Sequence, residues 1–395
     1  MAVASDQWPV ARKRIALWRA TRPWCTVFFF FNLTLLLVLF CFYTGGATYG
    51  ADWRQAVEPW TWSFPRDHGS HPDFRTEWWY FTGNLEDAAG KRYGYQLTFF
   101  RQGVSLQPKD PQNPWSIRDL YLAHFTLTDV TPGRFSFAER LSRKGPDLAG
   151  AAQDAMDVRL LNWSVKMEGN TIRIEARHHD MDLILKLTPR KPVVLHGEQG
   201  LSKKGAKPGQ SSYYYSITDL QTDGTIETPG SQFPIRVRGT SWFDHEFGSN
   251  QLAEDQIGWD WFSVHLSDGH DLMIYFLRRS DGSVEPTSSG TLVTATGEAI
   301  HLRLADISVE VLDHWKSQRS GGTYPSQWRI FIRPANIRIV LTPLVSNQEL
   351  VTGGSTGVTY WEGAVAGTGT SGGKGVTCEG YVEMTGYAGS IGGTF

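Results

Sequence analysis

The sequence predicts an all-β protein in which two tandem antiparallel β domains follow an N-terminal transmembrane helix. Three observations lead there. Short aromatic and β-branched runs alternate with turn formers along most of the chain, one such hairpin recurs later in the chain, and a single uncharged apolar stretch lies near the start.

The strand signals come first. The runs TEWWYFTGNL (76–85), YGYQLTFFR (93–101), DLYLAHFTLTDV (119–130), TIRIEARH (171–178), DLILKLTP (182–189) and SYYYSIT (212–218) fall before the expected boundary near 250. WDWFSVHL (259–266), DLMIYFLRR (271–279), WRIFI (328–332) and IRIVLTPL (337–344) fall after it. Turn formers such as DAAGK (87–91), SDGH (267–270) and SDGS (280–283) separate them. Many antiparallel strands joined by short turns imply a barrel or a sandwich. Only the region around 135–157 is expected to hold a short helix. Aromatic residues make up 13% of the chain, including 16 Trp, which suits pleated half-buried surfaces and leaves rings to line a cavity.

The repeat pairs Glu77–Arg101 with Gly258–Arg278. Trp78 falls on Trp259, Tyr80 on Trp261, Phe81 on Phe262, Leu85 on Leu266 and Asp87 on Asp268. After a shorter turn in the second copy, Phe99 falls on Phe276 and Arg101 on Arg278. Two copies of one unit are expected, with a boundary near 250. A chance match between two hairpins is the alternative.

The apolar stretch Trp24–Tyr43 carries no charge, and its length roughly matches a ~30 Å hydrocarbon core. Arg12, Lys13, Arg14, Arg19 and Arg22 precede it against Asp6 alone, and no basic residue follows before Arg54, so the N-terminus is expected in the cytoplasm. The expected organisation is a basic tail (1–23), a signal anchor or signal peptide (24–44), a linker (45–65), an N-terminal domain (66–250) and a C-terminal domain (251–395). The folded part is thus expected to be extracytoplasmic or periplasmic and membrane-anchored; cleavage after the apolar stretch, giving a secreted protein, is the alternative.

The whole-chain charge of −2 includes that +4 tail, so the remainder is near −6 and offers no footprint for nucleic acid. Cys25 and Cys41 lie in or beside the apolar stretch, which leaves Cys378 alone in the folded part, without an intrachain disulfide partner. No zinc-ligand spacing occurs, so neither a metal nor another cofactor is expected.

Six motifs then stand in order: EWWYFTG at 77–83, LAHFT at 122–126, WFDHEFGS at 242–249, WDWFS at 259–263, YWEG at 360–363 and GYVEMTGY at 380–387. Together they resemble the exported proteins related to carotenoid 1,2-hydratases, also described as lipocalin-like attachment-type hydrolases. The resemblance implies two lipocalin-like barrels, an apolar isoprenoid or lipid-like ligand, and acid–base chemistry of the hydration or hydrolysis type. A non-catalytic lipid carrier or chaperone at the membrane is the alternative, and whether the chain is an enzyme stays open. The carotenoid hydratase branch has His-x-Trp and Tyr-x-Asp pairs, whereas this chain has His245 with Phe247, and Tyr275 with Leu277.

Hydrating an alkene needs a proton donor, a placed water and aromatic faces to steady a cation. Residues 242–248 carry those residue types. If extended, the segment puts Phe243, His245 and Phe247 on one face and Trp242, Asp244 and Glu246 on the other. His245, Asp244, Glu246 and Tyr275 are therefore the catalytic candidates. Trp79, Phe243, Phe247, Trp259, Trp261 and His265 are the candidates for lining the ligand. Ordinary barrel core and a buried ion-pair cluster are the competing roles. Glu77 is expected to pair with Arg101, while His124, Glu362 and Glu383 are expected to be structural.

Overall fold

A computed structural model describes residues 52–391, apart from 108, 109, 111, 114, 115 and 251. The tail and apolar stretch (1–44) lie outside the described residues. No helix among the described residues is long and apolar enough to cross a membrane.

The strands are β1 (Thr76–Asp87), β2 (Arg92–Gly103), β3 (Asp119–Asp129), β4 (Arg134–Arg143), β5 (Ala149–Ala151), β6 (Asp157–Leu160), β7 (Trp163–Glu168), β8 (Thr171–His178) and β9 (Met181–Pro189). There follow β10 (Val194–Leu195), β11 (Leu201–Lys203), β12 (Ser211–Glu227), β13 (Ile235–Gly248), β14 (Gln256–Leu266), β15 (Asp271–Arg279) and β16 (Ser289–Val293). The last are β17 (Ala299–Arg303), β18 (Ile307–Lys316), β19 (Thr323–Ile332), β20 (Ile337–Pro343), β21 (Glu349–Val351), β22 (Thr359–Ser371) and β23 (Lys374–Thr385). The helix expected within 135–157 is replaced by β4 and β5. Arg134–Arg143 pairs along its whole length with β3, and these ladder bonds outweigh its local helix preference.

The strands form two antiparallel sheets. The first has thirteen strands in the order β4-β3-β2-β1-β13-β12-β9-β8-β7-β6-β5, with β10 and β11 beside β12. It curls until β6 packs against β3 and β4, nearly closing a barrel. The second has ten strands in the order β17-β16-β15-β14-β23-β22-β20-β19-β18, with β21 beside β22. The chain passes from one sheet to the other between Gly248 and Gln256.

Both sheets close the same way, the last long strand returning to pair with the first: β13 on β1, and β23 on β14. The hairpin registers coincide with the repeat in the sequence. Glu77 opposes Arg101 as Gly258 opposes Arg278, and Tyr80 opposes Thr98 as Trp261 opposes Tyr275.

Side chains alternate along a strand, so each face can be followed separately. In the outer strands of the first sheet one face is apolar and buried, as with Ile172, Ile174 and Ala176, while Arg173 points to solvent. The strands at the seam are different. Trp79 and Phe81 of β1 point into the first core with Phe243 and Tyr215, while Tyr80 points the other way and packs with Trp242, Tyr214 and Trp261 between the sheets. The second sheet has its own core around Phe262, Trp328 and Trp361. Two cores and the seam thus form three apolar layers, a smaller cluster around Phe74, Tyr213 and Phe247 lies apart from them, and the seam strands are buried on both faces along 76–85, 211–220 and 241–248.

Residues 53–65 pack onto one end of the first barrel. The Trp60 ring lies 5.2 Å from Tyr213 and 5.6 Å from Phe247, and Trp62 Nε1 donates to the Gln199 carbonyl at 2.9 Å.

Where β2 crosses β22 the sheets approach closely. A Cβ at Gly94 would stand 2.6 Å from the Ala364 Cβ, so only a residue without one fits. Gly94→Ala is expected to destabilise the fold by about 1–3 kcal/mol through overpacking, and Ala364→Gly in the same chain to restore most of that. Urea unfolding of both single variants and the double variant measures the coupling; strictly additive losses would show that this contact does not set the spacing.

Candidate active site in the cavity between the two sheets

The seam strands enclose a cavity of about 110 Å³ between the two sheets. Its wall is mostly aromatic, with Trp78, Tyr80, Tyr214, Trp259, Trp261 and Tyr360 supplying most of the rings. Asp244, Glu246, Lys204, Tyr275, His124 and Glu383 provide its chemistry. Period-two alternation along β13 decides which groups arrive there. Asp244 and Glu246 face the cavity, so His245 must face the opposite way.

Asp244 is almost fully buried and accepts hydrogen bonds from neutral donors. Tyr214 Oη donates to Oδ2 at 2.6 Å, Trp242 Nε1 to Oδ1 at 2.6 Å, and Ser216 Oγ also to Oδ1. Burial pushes its carboxyl up to about 7; the three donors pull it back, and Glu246 pushes it further. Trp261 Nε1 donates to Tyr214 Oη at 3.0 Å, so a residue of the second sheet positions a ligand of Asp244 in the first.

Glu383 on β23 accepts from Trp259 Nε1 at 2.9 Å. Burial pushes it too up to about 7, with Trp259 opposing and Asp244 and Glu246 adding to the rise. Behind it, Glu362 accepts from Tyr80 Oη at 2.7 Å and is fully buried, so desolvation keeps its carboxyl well above the usual range.

Lys204 lies 2.9 Å from Glu246, with its Nζ 4.2 Å above the Tyr275 ring. Burial alone would pull its ammonium down, but Glu246 outweighs that and leaves it above its ordinary value. Tyr275 Oη lies 3.0 Å from Ser202 Oγ and 3.2 Å from the Lys203 carbonyl. His124 meets Tyr360 Oη at 2.6 Å and Ser355 Oγ at 2.9 Å, and burial lowers its pKa to about 3, so it is neutral.

Of the four catalytic candidates, the cavity gathers Asp244, Glu246 and Tyr275 but not His245. That imidazole points into the first barrel, stacked on Trp79 at 4.9 Å, with Nε2 3.0 Å from Glu77 and Nδ1 3.1 Å from Tyr215 Oη. Of the six ligand-lining candidates only Trp259 and Trp261 face the cavity. Trp79 and Phe243 belong to the first core, and Phe247 stacks on His71 at 3.6 Å beneath the N-terminal segment. His265 opens onto a polar groove elsewhere on the seam and holds Asp271 at 2.8 Å. The repeat carries the signal that separates Trp78 from Trp79. Trp78 aligns with Trp259, and both line the cavity.

Glu77 pairs with Arg101 as expected, at 3.0 Å, and with two imidazoles besides. His71, Glu77 and His245 present ligand atoms within 4.8 Å of one another. Arg101 already supplies the positive charge that a metal ion would bring. Glu77 is fully buried; burial would raise its pKa, and His245, His71 and Arg101 together hold it well below the usual range. This is a structural ion network. Removal of one partner would strand a buried charge.

The family model described as AttH-like matches residues 55–387. The chain belongs to the AttH-like family. A crystal structure assigned as AttH from Nitrosomonas europaea is similar over 85% of this chain and 99% of that one, at 36% identity and a TM-score of 0.75. Kievitone hydratase from Nectria haematococca shares the fold at 15% identity, covering 83% of this chain and 93% of its own, with a TM-score of 0.63. CghA with Sch210972 does so at 14% identity, covering 80% and 90%, with a TM-score of 0.51. No curated protein matches this AttH-like chain.

The raised carboxyls set a pH dependence. Asp244 holds its proton in the folded state up to about 7, while an unfolded Asp releases it near ~4. Between those values the folded state binds more protons, so this group's contribution to stability falls as pH rises. Asp244→Asn in the AttH-like chain is expected to be relatively more stable than wild type at pH 8 than at pH 5, by on the order of a few kcal/mol. Urea unfolding at both pH values checks this; parallel pH slopes for the two proteins would contradict it.

Proposed function

We propose that this protein holds an apolar, isoprenoid or lipid-like molecule between its two sheets and acts on it by acid–base chemistry of the hydration type. The observation that carries the reading is Asp244, a buried carboxyl with raised proton affinity on an aromatic wall. In such a site the Asp244 carboxylic acid gives its proton to an alkene carbon, and the adjacent carbon becomes cationic. The oxygen of a water molecule bonds to that carbon, and its surplus proton returns to a carboxylate, so the net change is addition of water across the double bond. Aromatic rings stabilise the intermediate charge.

The resemblance to carotenoid hydratases and the fold shared with kievitone hydratase support this class of reaction. Leu277 stands where the carotenoid branch would place its acid, and it lines the cavity too, so in this chain the proton has to come from another wall residue. Asp244 meets that need. The uncharged stretch at 24–44, with basic residues before it, supports anchoring in a membrane with the β domains on the extracytoplasmic side, where apolar molecules are within reach.

The test is to purify the full chain from its native membrane, identify co-purifying small molecules by mass spectrometry, and incubate them in H2(18)O with wild type and Asp244→Asn. Wild type is expected to incorporate one 18O per turnover, and the variant to be slower by a factor on the order of 100 or more. A ligand bound tightly and returned unchanged by wild type would make the protein a carrier instead, and a variant working at the wild-type rate would remove Asp244 from the chemistry.

A further inference from the structure

We infer that the molecule held between the sheets carries positive charge where it meets Asp244 and Glu383; the inference rests on the cavity being the ligand site.

The two carboxyls are equivalent positions of the repeat. Tyr80 falls on Trp261 in the sequence, and each of these residues faces a partner on the strand that closes its own sheet. The partner of Tyr80 is Asp244, and the partner of Trp261 is Glu383. The next strands agree, since Tyr214 opposes Glu246 as Tyr360 opposes Thr385. Each sheet therefore delivers a carboxyl from this equivalent position of its closing strand into the same cavity, beside matched rings, and the first sheet adds Glu246.

The charge balance of the wall is then decisive. Its ionisable groups other than tyrosines, among the described residues, are Asp244, Glu246, Glu383, Lys204 and His124. Lys204 and Glu246 cancel each other at 2.9 Å. His124 is neutral, with both ring nitrogens in hydrogen bonds. Asp244 and Glu383 remain, held by tyrosine, serine and tryptophan donors that bring no positive charge. Two carboxylates without a counter-ion are costly in an apolar setting. Ring faces carry partial negative charge and do not offset them, but the same faces attract a cation. The wall already holds one in this way, Lys204 over Tyr275. A cation on an apolar skeleton would satisfy rings and carboxylates together, whereas a fatty-acid carboxylate would be repelled. The charge has two possible origins: an ammonium group that the ligand brings, or an alkene carbon protonated within the site.

Three molecules with one skeleton separate the cases: N,N-dimethylgeranylamine, geraniol and geranic acid, titrated at pH 8 into the full chain while tryptophan fluorescence is followed. The amine is expected to bind at least tenfold more tightly than geraniol, and the acid most weakly. In the Asp244→Asn/Glu383→Gln double variant the preference for the amine over geraniol should vanish, and a cooperative urea-unfolding transition shows that the variant is folded. Equal binding of amine and geraniol by wild type, or a preference that survives in the double variant, would overturn the inference and leave the apolar cavity standing. If none of the three binds, the ligand-site reading itself fails. Incubation of geraniol in H2(18)O assigns the origin. Uptake of 18O points to an alkene protonated in the site, and its absence alongside tight amine binding points to an ammonium ligand.

Discussion

Burial of the seam strands on both faces is the constraint on which the rest of the structure depends. In β1, β12 and β13 one face completes a barrel core and the other meets the second sheet. Along 76–85, 211–220 and 241–248 nearly every side chain is committed to one of two interiors, while the far ends of these strands present Glu86, Gln221, Asp223, Arg236 and Arg238 to solvent. Polar groups on these strands must find protein partners. Many do so within the first sheet, and several across the seam: Tyr80 to Glu362, Trp261 to Tyr214, and Asn84 Nδ2 to the Gly380 carbonyl at 3.0 Å. The sheets are thus joined by specific hydrogen bonds as well as by apolar area, which fixes the rings around the cavity in place.

Asp244 and Glu383 contrast with Glu77, and their partners set them apart. Glu77 has a guanidinium and two imidazoles around it, so its negative charge is favoured and its role is to tie β1, β2 and the N-terminal segment together. Asp244 and Glu383 have only neutral donors, so their charge is disfavoured and their protons are held to near-neutral pH. A proton poised in that range can be given up or taken back, which is what acid–base work requires.

The two halves of the repeat have diverged at the cavity in a way that gives it direction. Thr98 answers to Tyr275 and Glu246 to Thr385, so the Lys204–Glu246 pair and the Tyr275 hydroxyl lie at one end only. The AttH-like relative from Nitrosomonas europaea is similar in structure across nearly its whole length, so the framework is shared within the family.

Much of this was legible in the residues alone. Turn formers such as SDGH marked hairpin ends, and Gly269 there adopts φ +88°, which favours glycine. The hairpin repeat anticipated the shared register, and alternation along 242–247 sorted Asp244 and Glu246 from His245. Which of those two faces would meet a ligand was not legible. In a strand with one solvated face, polar residues reveal the outside, but when both faces are buried that signal disappears. His245 among Phe243 and Phe247 then looks as much like a cavity as Asp244 beside Trp242 does. Lys204, His124, Tyr360 and Glu383 reach the site from separate segments, and no spacing along the chain links them. The amino-acid sequence by itself determined most of the long strands, the pairing within the repeated hairpin and the parity of their side chains, because these are local consequences of backbone geometry. Only the tertiary structure decided which parity encloses the cavity, because that depends on two sheets meeting face to face.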